Sequence, residues 1–134
     1  MPDDRPRILL VEDDPDFAAF MLVLLERQGY AVHCANAASA GLRMLADRDI
    51  DLVITDIVMP EMDGIEFLQS LPARARGVPV VAVTGSPLNV NGTLSRVMHA
   101  LGAVQVLDKP VAPADLVSVV RGALADRTAL NQTA

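Results

Sequence analysis

Four apolar runs in this chain each lead into polar side chains that could hold a divalent cation beside a phosphoryl group. Residues 7–11 lead into Glu12 and Asp13, 51–55 into Asp56, 78–83 into Thr84, and 103–107 into Asp108 and Lys109, the only lysine. Crowded carboxylates repel by about 1–4 kcal/mol per close pair in a wet site, so such a group is tolerated best with a cation in it. Ligands that offer only oxygen select Mg2+ or Mn2+ over zinc. A carboxylate held on a strand end can attack phosphorus and form an aspartyl phosphate. A lysine supplies a point charge to the phosphoryl oxygens, and a threonine one hydroxyl hydrogen. Positioning plus electrostatics is most of what phosphoryl transfer requires.

Far-separated residues meet in this way only if the runs are parallel strands. The segments between them are of helix length, which predicts five strand-helix units. Strands are expected at 7–11, 31–35, 51–55, 78–83 and 103–107, and helices at about 15–28, 38–47, 64–71, 93–101 and 113–125. Asp14-Pro15 marks a helix start, with Asp as cap and Pro in the first turn. Asp63 and Glu66 have capping-box spacing. Strands one, three and four are nearly continuous Val, Ile and Leu, the pattern of strands covered on both faces. Right-handed crossovers then give an α/β, doubly wound, five-stranded parallel sheet of flavodoxin-like (βα)5 form, order 2-1-3-4-5. In such a sheet the C-terminal strand ends border one crevice, where ligands bind.

Composition narrows the function. The 134 residues fit one domain. A net charge of −6, with scattered basic residues, argues against direct nucleic-acid binding. No Trp and one Tyr leave little for base or flavin stacking. One cysteine, Cys34, allows no internal disulfide and is read as a small strand residue. The N-terminus does not resemble a signal peptide, and no apolar run is long enough to span a bilayer. A cytoplasmic protein without membrane contact is expected.

The segments Ile8-Leu-Leu-Val-Glu-Asp-Asp14, Asp51-Leu-Val-Ile-Thr-Asp56, Met59-Pro-Glu-Met-Asp-Gly64, Val80-Val-Ala-Val-Thr84 and Lys109-Pro110 resemble, in order and spacing, the receiver domain of bacterial two-component response regulators. The likeness covers about residues 6 to 126. It implies a phosphorelay switch that takes a phosphoryl group from a histidine kinase or histidine phosphotransfer protein, with Mg2+, and signals to a downstream protein. It implies self-phosphorylation and self-dephosphorylation rather than metabolic catalysis. Asp56 resembles the phosphoacceptor. Asp13 resembles the direct metal ligand, Glu12 a ligand through water, and the Val58 backbone carbonyl a third protein ligand. Thr84 and Lys109 resemble the switch hydroxyl and the phosphate-binding lysine, and the Lys109-Pro110 bond one that is commonly cis.

Some positions depart from that pattern. Val106 stands where many receivers carry an aromatic that follows the threonine, so a smaller change on the face of helix 4, strand 5 and helix 5 is expected. Chemical-shift mapping with beryllofluoride checks this. Val58 and Ser86 border the expected path of attacking water. Val58 cannot orient water, which predicts slow loss of the phosphoryl group relative to Val58→Asn. Gly85 leaves the donor's approach open. In helix one, Phe17, Phe20, Met21, Leu24 and Leu25 have core spacing. Ala18, Leu22 and Val23 are left over as a docking patch for the phosphodonor.

The receiver is expected to occupy 1–126, with 127–134 a short polar tail that frays and no output domain. A fragment of a hybrid histidine kinase or of a longer regulator is the alternative. An aspartyl-nucleophile phosphatase using Asp14-Pro-Asp16 is a rival of another class, as is a flavodoxin-like mononucleotide binder. The Glu12-Asp13 pair would repel the phosphate of such a nucleotide. Asp14 and Asp63 are read as caps, Asp51 as lying at the wrong sheet end, and His33 and His99 as isolated.

Overall fold

Valine, isoleucine and leucine fill the central strands because those strands touch helices on both sides. A computed structural model describes residues 3–85 and 92–133. It contains β1 (Arg7–Val11), α1 (Pro15–Arg27), β2 (Ala31–Ala35), α2 (Ala38–Asp47), β3 (Leu52–Asp56), α3 (Gly64–Gln69), a 3₁₀ turn (Ala73–Ala75), β4 (Val80–Thr84), α4 (Thr93–Ala100), β5 (Gln105–Asp108) and α5 (Pro113–Thr133). The five strands form one sheet in the order β2-β1-β3-β4-β5, and every pairing is parallel.

Alternate side chains divide between two apolar layers, as strand geometry requires. Ile8, Leu10, Leu52, Ile54, Val81 and Val83 pack with Met21 and Leu25 of α1 and with Leu116 and Val120 of α5. Leu9, Val11, Val53, Val80 and Ala82 pack on the other face with Leu45 of α2, Phe67 of α3 and Met98 of α4. Each fully buried Leu or Ile contributes roughly 1.5–3 kcal/mol over its exposed state. The sheet is therefore a rigid frame for whatever its ends carry.

Three strands end later than expected. β3 runs through Asp56, β4 through Thr84 and β5 through Asp108. The parallel ladder pairs backbone groups and is indifferent to side-chain polarity, so Asp56 pairs with Val83 and Thr84 with Asp108. The same three start later as well, β3 by one residue, at Leu52. Pro79 has no N–H to give, though its carbonyl accepts from Val53 N at 3.0 Å, and β4 begins at Val80. Ala103 N turns back to the Met98 carbonyl at 2.9 Å, closing α4 before β5 begins at Gln105.

The helix ends follow local chemistry. Asp14 Oδ1 accepts from the Asp16 and Phe17 amides at 3.0 and 3.4 Å, with Pro15 opening α1. Asp63 accepts from the Glu66 amide at 2.8 Å and starts α3. α3 stops at Gln69, shorter than expected, because Pro72 disfavours helical backbone at Leu71. α2 has no side-chain cap at Ala37. Glu61, from the loop after β3, instead accepts from the Ser39 amide at 2.9 Å. The tail expected to fray is helical: α5 continues to Thr133. Residues 126–133 contain no Gly or Pro, and Arg127 is tied to the Ile50 carbonyl and Asp51 Oδ1, both at 3.2 Å.

Candidate active site at the C-terminal strand ends

Asp56 is the last residue of the central strand β3 and is 7% exposed. Both carboxylate oxygens are engaged. Oδ1 accepts from the Val58 amide at 3.1 Å, and Oδ2 from Lys109 Nζ at 3.0 Å. Glu12 lies one residue beyond β1 and is 3% exposed. Its amide continues the ladder to the Ala35 carbonyl at 3.0 Å, which turns its side chain into the crevice. Oε2 then accepts from the Asp14 amide and Oε1 from Lys109 Nζ, both at 3.1 Å. Asp13, next along, is exposed.

Carboxylate oxygens of Glu12, Asp13 and Asp56 lie within 4.8 Å of one another. One ammonium, that of Lys109, bridges the two buried members. Burial pushes the Glu12 carboxyl up, and the Asp56 charge adds to this, while the Asp14 amide and Lys109 pull it back. Burial alone would lower the Lys109 ammonium, but its hydrogen bonds to Asp56 and Glu12 outweigh that, and its pKa lies above the ordinary lysine value. The donor set is oxygen-only, and exposed Asp13 leaves room for retained water, which Mg2+ demands. The residues present therefore fit a hard divalent cation.

Thr84 ends β4, 1% exposed, and its carbonyl accepts from the Lys109 amide at 2.8 Å, fixing the base of the lysine to the strand beside Asp56. Gly85 follows, where a Cβ would lie 3.3 Å from Lys109 Cδ and would crowd the lysine stem. The Lys109-Pro110 peptide is cis. Val58 holds Asp56 by its amide and turns its side chain out, 51% exposed. Val106 is half-buried opposite Ala82 and packs on the α2, α3 and α4 side. Ser86 lies outside the described residues.

Sequence spacing placed α1 less accurately. Met21 and Leu25 are buried and Leu24 half-buried, but Phe20 is 39% exposed rather than core. Ala18 packs on the α1–α5 layer, and Leu22 is half-buried. The outward apolar face is thus Phe20 and Val23, the latter 50% exposed. Phe17 does something periodicity cannot show: Lys109 Nζ lies 4.4 Å from its ring centroid. In the sequence Gly64 stands out only as the end of the Met59-Pro-Glu-Met-Asp-Gly64 segment. Its amide donates to the Ile57 carbonyl at 2.6 Å, and a Cβ would meet Ile57 Cα at 2.9 Å, so only glycine closes the loop after Asp56. Its place just after a capping Asp was the available signal.

Other acids and both histidines have local duties. Asp14 and Asp63 cap α1 and α3. Asp51 sits at the opposite sheet end, accepting from the Arg7 amide at 2.7 Å. His99 Nδ1 donates to the Ala103 carbonyl at 3.0 Å, and His33 Nδ1 accepts from Arg48 at 3.1 Å. Cys34 is a strand residue, exposed on edge strand β2. Among the described residues no helix is long and apolar enough to cross a membrane.

The model of the response regulator receiver domain matches residues 8–121. The response regulator receiver protein CpdR of Brucella abortus is 39% identical over 118 residues, covering 85% of this chain and 92% of CpdR. The transcriptional regulatory protein GlrR of Escherichia coli is 34% identical over 106 residues, 78% of this chain but only 23% of GlrR. The chain therefore spans less than a quarter of that relative's length. The crystal structure of a CheY-like receiver domain protein from Methanospirillum hungatei superposes with a TM-score of 0.82 at 31% identity, covering 93% of this chain and 98% of that one. With the same strand order, and with acids, threonine and lysine gathered at one end of the sheet, the chain belongs to the response regulator receiver domain family.

Proposed function

We propose that this receiver takes a phosphoryl group on Asp56 from a phosphohistidine of a histidine kinase or histidine phosphotransfer protein, in the cytoplasm, and signals by contact with a downstream protein. Its main support is the shared ammonium: Lys109 Nζ lies 3.0 Å from Asp56 and 3.1 Å from Glu12. A carboxylate oxygen of Asp56 attacks phosphorus, the P–N bond to the donor imidazole breaks, and the imidazole leaves with a proton from solvent. Asp13 and Asp56 would hold Mg2+ directly, with the Val58 carbonyl, and Glu12 through water. The ion, when bound, supplies positive charge against the repulsion between carboxylate and phosphoryl oxygens. Lys109 meets one phosphoryl oxygen and Thr84 another. Water later attacks the same phosphorus, the P–O bond to Asp56 breaks, and the carboxylate returns.

Incubation with labelled acetyl phosphate and Mg2+ tests this. One phosphoryl group per chain is expected for the natural protein and none for Asp56→Asn. Equal stoichiometry in both would overturn it. Exposed Phe20 and Val23, on the outward side of the helix that starts at the crevice, fit a helical phosphodonor. Val23→Glu is expected to slow transfer from a donor kinase severalfold while leaving acetyl phosphate labelling unchanged. Unaltered transfer from the kinase would remove α1 as the docking face.

A further inference from the structure

We infer that Phe17 is a positioning residue for Lys109, its ring holding the ammonium in place while the ammonium's hydrogens change partners. This rests on the proposal that Lys109 serves the phosphoryl group on Asp56. An ammonium has three N–H donors. Two point at carboxylates, at 3.0 and 3.1 Å, and the Phe17 ring centroid lies 4.4 Å from Nζ. A cation within about 6 Å of a ring centroid is drawn to the negative face of the π-system.

The ring is itself well placed. Asp14 and Pro15 fix the start of α1, and the Phe17 amide donates to Asp14 Oδ1 at 3.4 Å. Phe20 stacks behind, centroids 6.1 Å apart and planes 19° from parallel. On its other contacts the lysine stem meets Gly85, which contributes no side chain. A flexible lysine with 25% of its side chain exposed needs some such restraint to stay aligned.

The contact differs in kind from the two salt bridges. It consumes no N–H donor and requires no particular hydrogen direction. When a phosphoryl oxygen replaces a carboxylate as partner, the hydrogens must be redirected, and both ion pairs change. The attraction to the ring persists through that exchange. A leucine at position 17 would fill the same apolar space but would not attract the charge.

The lone lysine makes the test selective, since [ε-13C]lysine labels one side chain of the protein. In metal-free protein the Lys109 ε-CH2 protons are expected upfield, in the ring current of Phe17. Phe17→Leu should return them to the position of a free lysine, and Phe17→Tyr should keep them upfield. Labelling by acetyl phosphate should slow about three- to tenfold in Phe17→Leu, as loss of a partly desolvated cation–π contact implies, and recover in Phe17→Tyr. Phe17→Met replaces Phe17→Leu if the latter loses its dispersed amide spectrum. An unmoved lysine signal, a wild-type rate in the aliphatic variant, or failure of tyrosine to restore either would overturn the inference. If Asp56→Asn still takes label, the proposed function falls instead. If it takes none while Phe17→Leu behaves as the natural protein, only the role of Phe17 falls.

Discussion

The two ends of the sheet carry acids in very different company. At the N-terminal end Asp51 accepts from the Arg7 amide at 2.7 Å and from Arg127 Nη1 at 3.2 Å. Nearby, Asp49 pairs with Arg74 at 2.8 Å. Each carboxylate there has its own guanidinium. At the C-terminal end three carboxylates gather within 4.8 Å, and Lys109 bridges two of them. Acids at one end close the fold; acids at the other hold an excess of negative charge ready for a cation. What separates the two groups of carboxylates here is their number against the available cations.

That contrast can be tested in three steps of falling size. Mg2+ at a hundred times its dissociation constant is expected to stabilise the protein by about 2.7 kcal/mol through mass action. Asp13→Asn should lose most of this, and Asp51→Ala none of it. Thermal unfolding with and without the ion measures both, and equal gains in all three proteins would erase the distinction between the ends. Without the ion, Asp51→Ala should cost about 1–2 kcal/mol, because it leaves the Arg7 amide without its acceptor and Arg127 with the Ile50 carbonyl alone. Glu12→Gln should do the reverse, stabilising metal-free protein near neutral pH by at most about 1 kcal/mol, since like-charge repulsion is removed while glutamine's single oxygen gives up one of the two acceptors offered to the Asp14 amide and Lys109. The sign follows from the raised Glu12 pKa. A carboxyl whose folded pKa exceeds its unfolded value contributes stability below the unfolded pKa and loses it as pH rises through the folded one. The gain from Glu12→Gln should therefore vanish in acid. Urea unfolding at two pH values decides it, and destabilisation by Glu12→Gln at neutral pH would contradict the account.

Much of this was legible in the chain itself. Continuous Val and Ile runs declare two-sided burial, so strand order and the convergence of Glu12, Asp13, Asp56, Thr84 and Lys109 follow from topology. Helix caps are local, and Asp14 and Asp63 could be read in place. Phe20 could not, because α1 is covered by the sheet on one side only and periodicity assigns an angle, not a neighbour. Phe17 over Lys109 joins residues 92 positions apart in sequence, through the space between a helix start and a strand end. Glu61 is another such case, since its partner lies on a different element. Interactions within one turn of chain are written locally; those across elements need the packed frame.

The Glu61–Ser39 contact limits how this protein can be rebuilt. α2 does not carry its own start; the neighbouring loop, the one that leaves Asp56, supplies it. Grafting α2 into another scaffold would strip its first turn of an acceptor, and exchanging the loop would weaken the start of a helix that the loop does not belong to. The two segments form one inheritable unit, and a chimera that respects it should join before Ala35 and after Gly64 rather than between them.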